Sequence, residues 1–181
     1  MISRKNTVIF TIVIAVVLFV TGLIYGFNNT FDINEYLKTL DNNNFLILKH
    51  LLIIIVCLFC TTSLLGTIFI PIYIGFESIS IGYLIANFIN SYKISGLLYS
   101  LVTILVNKGL FIAILLYLFV IGITYLKKNI MNIIGINKEY AAELVIPLIK
   151  KYIVISIILI IYDVMLYVFG NMFLKYLTFM L

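Results

Sequence analysis

The sequence predicts an all-α protein, a polytopic transmembrane helical bundle with five spans. Hydrophobic residues make up 64% of the 181 residues, charged residues only 10%, and the mean hydropathy is +1.23. A soluble domain is roughly half apolar and about a quarter charged, so a water-soluble core cannot accommodate this composition. Apolar runs of spanning length alternate with short polar stretches. We therefore expect a single integral membrane domain over residues 1–181.

The net charge of +5 indicates contact with a lipid bilayer. Lys and Arg are scattered between apolar runs instead of clustering with aromatic residues along a groove, so nucleic acid is not expected as a partner. Anionic lipid headgroups are the expected counter-charge. The abundance of Ile, Asn, Lys and Tyr is typical of a low-GC bacterium, which predicts a bacterial cell membrane as the location.

The first span is predicted over residues 8–27, after the basic pair Arg4 and Lys5. Its full spanning length, and the lack of an A-x-A site after it, favour a retained helix over a cleaved signal peptide. The polar stretch 28–45 that follows is expected to be an extracytoplasmic loop containing a short surface helix.

The second apolar run is twice too long for one helix, so the chain must fold back within it. Ser63, Gly66 and Pro71 are the helix-breaking residues available. A tight turn there gives a second span over 46–65 and a third over 68–89. Pro71 then lies in the first turn of the third helix, where its missing N–H is tolerated.

The last two spans are less regular. The run 97–126 is interrupted by Asn107 and Lys108, so either one long tilted helix or a broken helix fits it. The polar segment 127–151 has amphipathic spacing and is expected to be a cytoplasmic juxtamembrane helix. The fifth span is predicted over 152–173.

The loop cations predict the orientation of this five-helix arrangement. Most of them lie on one side, and the positive-inside rule makes that side cytoplasmic. We therefore expect the N-terminus inside the cell and the C-terminus outside. The inner set is Arg4, Lys5, Lys127, Lys128, Lys138, Lys150 and Lys151, and the outer set is Lys38, Lys49, Lys93 and Lys175.

No residues suited to catalysis, a metal or a cofactor stand out. Cys57 and Cys60 form a C-x-x-C motif, but they lie in mid-span, where an apolar environment disfavours the reactive thiolate. We interpret them as buried small residues. His50 is the only histidine and is expected at the outer end of the second span beside Lys49, so neither a metal site nor a nucleophile–base pair has enough members.

Polar residues inside the predicted spans are a better functional signal, since a charge at a helix centre costs about 2.5–3.5 kcal/mol on insertion scales. They are Glu77, Asn107, Lys108 and Asp163. One hypothesis is an ion pair between Lys108 and Asp163. The alternative is that Lys108 extends to the surface while Asp163 is protonated or bonded to a hydroxyl such as that of Ser156. Glu77 is close enough to the predicted hairpin to reach water there.

Small residues predict close helix packing. Gly22 and Gly26 form a G-x-x-x-G pair on the first helix, and Gly82 and Ala86 form a weaker version on the third. We interpret them as packing seams within the bundle, with dimerisation as the alternative.

A further pattern extends over residues 64–126: a G-x-x-x-x-P segment, a G-F step, a G-Y step and a glycine in the next connection. These are Gly66 with Pro71, Gly75 with Phe76, Gly82 with Tyr83, and Gly96. In this pattern the chain resembles the stage II sporulation protein M family. That family usually has a proline with a polar residue in the next helix, where this chain has Val106, Asn107 and Lys108.

The resemblance extends in layout over nearly the whole chain. It implies a non-catalytic membrane scaffold that assembles two peptidoglycan-degrading partners, a lytic transglycosylase and an amidase, at the septal membrane during forespore engulfment. Members in circular-bacteriocin clusters instead help to mature or export a peptide beside a transporter ATPase. Independently of the resemblance, a permease-like subunit that docks an ATPase on segment 127–151 is a competing hypothesis.

Overall fold

The regular structure of the chain is helical throughout the part described by the computed structural model, which covers residues 4–29, 46–63, 65–104, 108–133 and 141–170. Four helices are long and apolar enough to cross a membrane, and α2, with 16 residues, is shorter. The predicted all-α chain with membrane-spanning helices is confirmed at this level. The helices are α1 (Arg4–Asn28), α2 (Leu46–Thr61), α3 (Gly66–Ile104), α4 (Leu110–Ile133) and α5 (Ala141–Met165), with a π-helical turn over Leu166–Gly170 after α5.

A tight hairpin joins α2 to α3 where the sequence predicts one. The Ser63 hydroxyl accepts a hydrogen bond from the N–H of Leu65 at 3.2 Å, which satisfies one of the donors that a helix N-terminus leaves unpaired. The Leu65 carbonyl then accepts from Ile68 and Phe69 at 3.1 and 2.8 Å. Because α3 begins at Gly66, Pro71 lies in its second turn and not in the predicted first turn.

The chain reverses at Lys93, which divides α3 into α3a (66–92) and α3b (94–104). Lys93 has φ 54° and ψ −127°, the geometry of the first central position of a type II′ turn, which glycine favours. Gly96 then packs directly on the Phe88 carbonyl, where a side chain would not fit. Residues 90–96, which connect the predicted third and fourth spans, therefore contain a reversal of the chain at one residue, Lys93.

The predicted fourth span is described on both sides of residues 105–107. The half-helix α3b extends to Ile104, Lys108 and Gly109 are π-helical, and α4 begins at Leu110. The predicted site residue Asn107 lies outside the described residues, so one long tilted helix and a broken helix both stay predictions. The described parts of segment 127–151 do not form a separate juxtamembrane helix. Residues 127–133 continue α4 and residues 141–151 begin α5, because their apolar positions prolong the stripes of those two helices.

Helices α1 and α3a are parallel and touch backbone to backbone. A side chain at Gly22 would overlap the Ile79 carbonyl, and one at Gly26 would lie 2.7 Å from the Tyr83 carbonyl. Gly82 in turn lies against the backbone of α1. Such close approach gives the dispersion contacts that hold helices together in lipid. We call this contact the α1–α3 seam.

The remaining helices form the apolar core. Fully buried side chains from α2, α3, α4 and α5 interlock there, while α1 lies at the edge, with only 11% of its spanning window buried. The core residues with the least exposure include Ile54, Cys57, Ile70, Ile74, Leu115, Leu118, Phe119 and Leu159.

The α1–α3 seam predicts a matched pair of substitutions. Ala86 is fully buried in the seam beside Gly26, and Ala113 in α4 is exposed. Ala86→Leu overpacks the seam and is expected to destabilise the protein by about 1–3 kcal/mol. Ala113→Leu makes the same chemical change on an exposed surface and is expected to leave stability unchanged. Thermal unfolding in detergent measures both, and equal melting temperatures for the two variants would contradict the seam.

The backbone conformation of Lys93 predicts the outcome of a second matched pair of substitutions. This conformation costs a non-glycine residue about 1–3 kcal/mol, so Lys93→Gly is expected to raise the melting temperature, by a net stabilisation of about 1 kcal/mol. Lys127→Gly removes the same charge from a regular turn of α4 and is expected to cost about 1 kcal/mol. A higher melting temperature for Lys93→Gly and a lower one for Lys127→Gly would support a strained turn at Lys93, whereas a lower melting temperature for both variants would contradict it.

Candidate functional site

Polar and charged side chains from four helices meet inside the bundle. Tyr73, Glu77 and Ser80 share one face of α3a because they are four and three residues apart. The other members come from α2, from α4 and the π-helical residues just before it, and from α5. We call the whole set the polar cluster. Its members are Lys49, His50, Tyr73, Glu77, Ser80, Lys108, Phe111 and Asp163.

An ion pair between Glu77 and Lys108 lies at the centre of the cluster. The Lys108 ammonium donates to Oε2 of Glu77 at 2.7 Å and to the Ser80 hydroxyl at 3.2 Å. The Tyr73 hydroxyl donates to the other carboxylate oxygen, Oε1, at 2.9 Å. Lys49 approaches that oxygen only to 3.9 Å, and its side chain is 58% exposed. Short, charge-assisted bonds make the Lys108 contact the dominant one.

His50 and Asp163 form a second pair that joins α2 to α5. The Nδ1 atom of His50 lies 3.1 and 3.0 Å from the two carboxylate oxygens of Asp163. An ionised carboxylate can only accept, so Nδ1 is the donor. Side-chain exposure is 6% for His50 and 0% for Asp163. The two groups therefore satisfy each other away from water.

Phe111 connects the two pairs. Its ring stacks on His50 with the centroids 4.1 Å apart and the planes at 18°. The same ring meets Tyr73 edge-on, at a centroid distance of 6.3 Å and an angle of 89°. Aromatic contacts of this kind are worth about 0.5–1.5 kcal/mol beyond area burial. The cluster is thus one continuous unit across α2, α3, α4 and α5.

Each buried carboxylate of the polar cluster lies against a basic side chain of another helix. Glu77 pairs with Lys108 at 2.7 Å, and Asp163 pairs with His50 at 3.0 Å. Among the described residues, no buried side-chain nitrogen or oxygen lacks a hydrogen-bond partner. Fully satisfied networks of this kind hold helices in one arrangement.

The hypothesis that Lys108 pairs with Asp163 is wrong, because each has a different partner. Lys108 lies against α3a, where it pairs with Glu77, and Glu77 is buried instead of reaching water. His50 does not simply mark a helix end, since it is the partner of Asp163. The sequence signal for this pair was a single histidine and a single mid-span aspartate on two different spans.

A smaller polar contact lies near the hairpin. The Tyr152 hydroxyl is 3.1 Å from the Thr61 hydroxyl oxygen and donates to the Cys57 carbonyl at 3.3 Å. Cys57 is buried and Cys60 is partly buried, and both are free thiols. The described residues contain no group of three or more His, Cys, Asp or Glu that could hold a metal ion.

The residues that carry the family resemblance lie at constrained backbone positions. Gly66 approaches the backbone of Cys60 and Thr61 to 2.7 Å, and Gly75 approaches a methyl group of Leu18 to 2.7 Å, both measured from the position of an added Cβ. Gly82 lies in the α1–α3 seam, and Gly96 lies in the reversal after Lys93. Of the two aromatic residues, Tyr83 packs on Tyr25 with the centroids 5.7 Å apart, and Phe76 is 66% exposed.

No family model, no curated protein and no solved structure matches this chain.

The Glu77–Lys108 pair predicts a non-additive double mutant. Glu77→Leu and Lys108→Leu each leave one buried charge unpaired and are each expected to cost about 3 kcal/mol. The double variant leaves neither charge behind and is expected to be more stable than the worse single variant. Unfolding of the purified protein in a graded denaturing detergent measures the four free energies of the cycle.

Lys49→Leu is the matched control for this cycle. It makes the same substitution at the exposed lysine 3.9 Å from Glu77, and exposed pairs contribute at most about 1 kcal/mol. We expect little coupling between Lys49→Leu and Glu77→Leu. Strictly additive effects of the Glu77 and Lys108 substitutions would show that the pair is not an energetic unit.

Proposed function

We propose that this chain is a non-catalytic membrane scaffold that assembles peptidoglycan-degrading partners, a lytic transglycosylase and an amidase, at the septal membrane during forespore engulfment. The observation that supports this role best is the closure of the polar cluster, in which the buried carboxylates of Glu77 and Asp163 are each bonded to a side chain of a neighbouring helix. Charges used in this way fix the relative positions of the helices. A scaffold needs such a fixed surface and needs no chemistry of its own.

The proposal takes its partners from the family resemblance. The glycines that carry this resemblance lie where the backbone of another segment, or a packed side chain, leaves no room for a Cβ. These glycines are therefore required by the close packing of this chain.

The proposed topology has five passes, with the N-terminus in the cytoplasm. The contacts support alternating directions, since α1 runs parallel to α3a while α5 runs antiparallel to α2. With 16 residues, α2 rises about 24 Å, somewhat less than the roughly 30 Å of a hydrocarbon core. Lys49 in its first turn is exposed and can extend to the headgroups, which accommodates a short span.

A deletion strain of the sporulating native host tests the scaffold. The forespore septum is expected to remain thick and engulfment to stop, because the two hydrolases are no longer held at the septum. Electron microscopy measures septal thickness, and co-purification with the tagged chain measures hydrolase recruitment. Complementation with Ala113→Leu is expected to restore engulfment, whereas Ala86→Leu, which disrupts the α1–α3 seam, is expected to restore less. Normal engulfment in the deletion strain would refute this role.

One observation favours the alternative, a permease-like or peptide-maturation subunit that works with a partner ATPase. A π-helical turn inside a spanning segment frequently marks a functional site, and the charged Lys108 is π-helical, together with Gly109, just before α4. The two roles differ in one complementation experiment. A scaffold is expected to keep its function in the Glu77→Leu, Lys108→Leu double variant, since the helices stay in place, whereas a transport path that uses these charges is expected to lose it.

A further inference from the structure

A cleft of about 260 Å³ opens between α4 and α5, at the end of the bundle where the hairpin lies. Its walls combine aliphatic side chains, among them Val120 and Leu144, with polar groups near its mouth. We call it the α4–α5 cleft. Its amphipathic lining is typical of a site for a molecule that has both a polar and an apolar part.

The charges of the cleft come from both walls. Lys128 is on α4, and Glu143 and Lys151 are on α5, and all three are exposed. None of the ion pairs between described residues includes them. Two positive charges and one negative charge leave the cleft with a net charge of +1, which complements a ligand of charge −1.

The cleft also offers hydrogen-bond acceptors. The Glu143 carboxylate is one of them. Pro147, another lining residue, has no N–H to donate to the Glu143 carbonyl four residues earlier, so this carbonyl can accept from a ligand. A ligand that fits therefore carries one negative charge and also has hydroxyl groups that donate.

We propose that the α4–α5 cleft binds the headgroup of a phospholipid with one net negative charge and free hydroxyl groups, as in phosphatidylglycerol. Lys128 and Lys151 bind the phosphate from opposite walls, while Glu143 accepts from the headgroup hydroxyls. The acyl chains leave the cleft along the face of α5 that continues beyond Pro147 and Lys151, where Val154 and Ile158 are 56% and 50% exposed. This continuous apolar path favours a lipid over a free phosphate.

A matched pair of double variants separates a site from general surface charge. Lys127 and Lys150 are exposed neighbours of the two cleft lysines but do not line the cleft. Lys128→Gln with Lys151→Gln removes the same charge as Lys127→Gln with Lys150→Gln. Only the first pair changes the proposed site.

Native mass spectrometry of the protein in mixed micelles measures the bound lipid. Wild type and the Lys127/Lys150 variant are expected to keep phosphatidylglycerol in preference to phosphatidylcholine. The Lys128/Lys151 variant is expected to bind it about thirtyfold more weakly, which corresponds to about 1 kcal/mol for each lysine. Arginine at both positions is expected to restore binding, and an unchanged melting temperature shows that the glutamine variant is folded.

Three results would overturn the proposal. Equal loss of lipid in the two glutamine variants would mean that binding depends only on surface charge. Equal retention of phosphatidylcholine and phosphatidylglycerol would mean that the cleft does not select an anion. Full displacement of the lipid by millimolar glycerol phosphate would mean that the site binds a soluble phosphate and that the acyl chains contribute nothing.

Discussion

The ion pair of Glu77 and Lys108 is the interaction on which the positions of the other helices depend, because it joins the middle of α3a to the residues just before α4. Lys108 and Gly109 are π-helical and lead directly into α4, so the position of Lys108 sets where that helix begins. The 2.7 Å contact with Glu77 sets the start of α4 against α3a. Since a lone charge is costly at this depth, any register that separates the two groups is strongly disfavoured.

The same constraint propagates to α2 and α5 through Phe111, the second residue of α4. This ring lies against Tyr73 on one side and His50 on the other, so the position of α4 fixes the ring that pairs with Asp163. α2 is short, but it is tied to α5 by the His50–Asp163 contact near its start and by Tyr152 near its end. Apolar side chains alone do not fix the depth or the rotation of a helix in lipid. Two polar contacts at opposite ends of α2 thus determine both.

The helices and the α1–α3 seam could be predicted from the sequence because each depends on local information. Hydropathy runs fix the spans, and small residues four positions apart, such as Gly22 and Gly26, show which face packs closely. The pairing of the buried charges could not be predicted, since it depends on the exact position of the reversal at Lys93. The sequence predicts a connection between residues 89 and 97, but a lysine in a conformation that glycine favours does not show where within it the chain turns. Without the turn, neither the depth of Lys108 nor its distance from Asp163 can be derived.

The closed polar cluster and the open α4–α5 cleft divide the charged residues into two groups with different roles. The buried carboxylates of Glu77 and Asp163 are bonded to basic side chains of neighbouring helices. The exposed lysines near the hairpin end take part in none of the ion pairs between described residues, which leaves them available to anionic lipid headgroups. Anionic lipid headgroups hold a bundle with a fixed interior and a positively charged end at one depth and in one orientation. A scaffold needs this property, because partners on one side of the membrane can be assembled only by a surface that keeps its orientation.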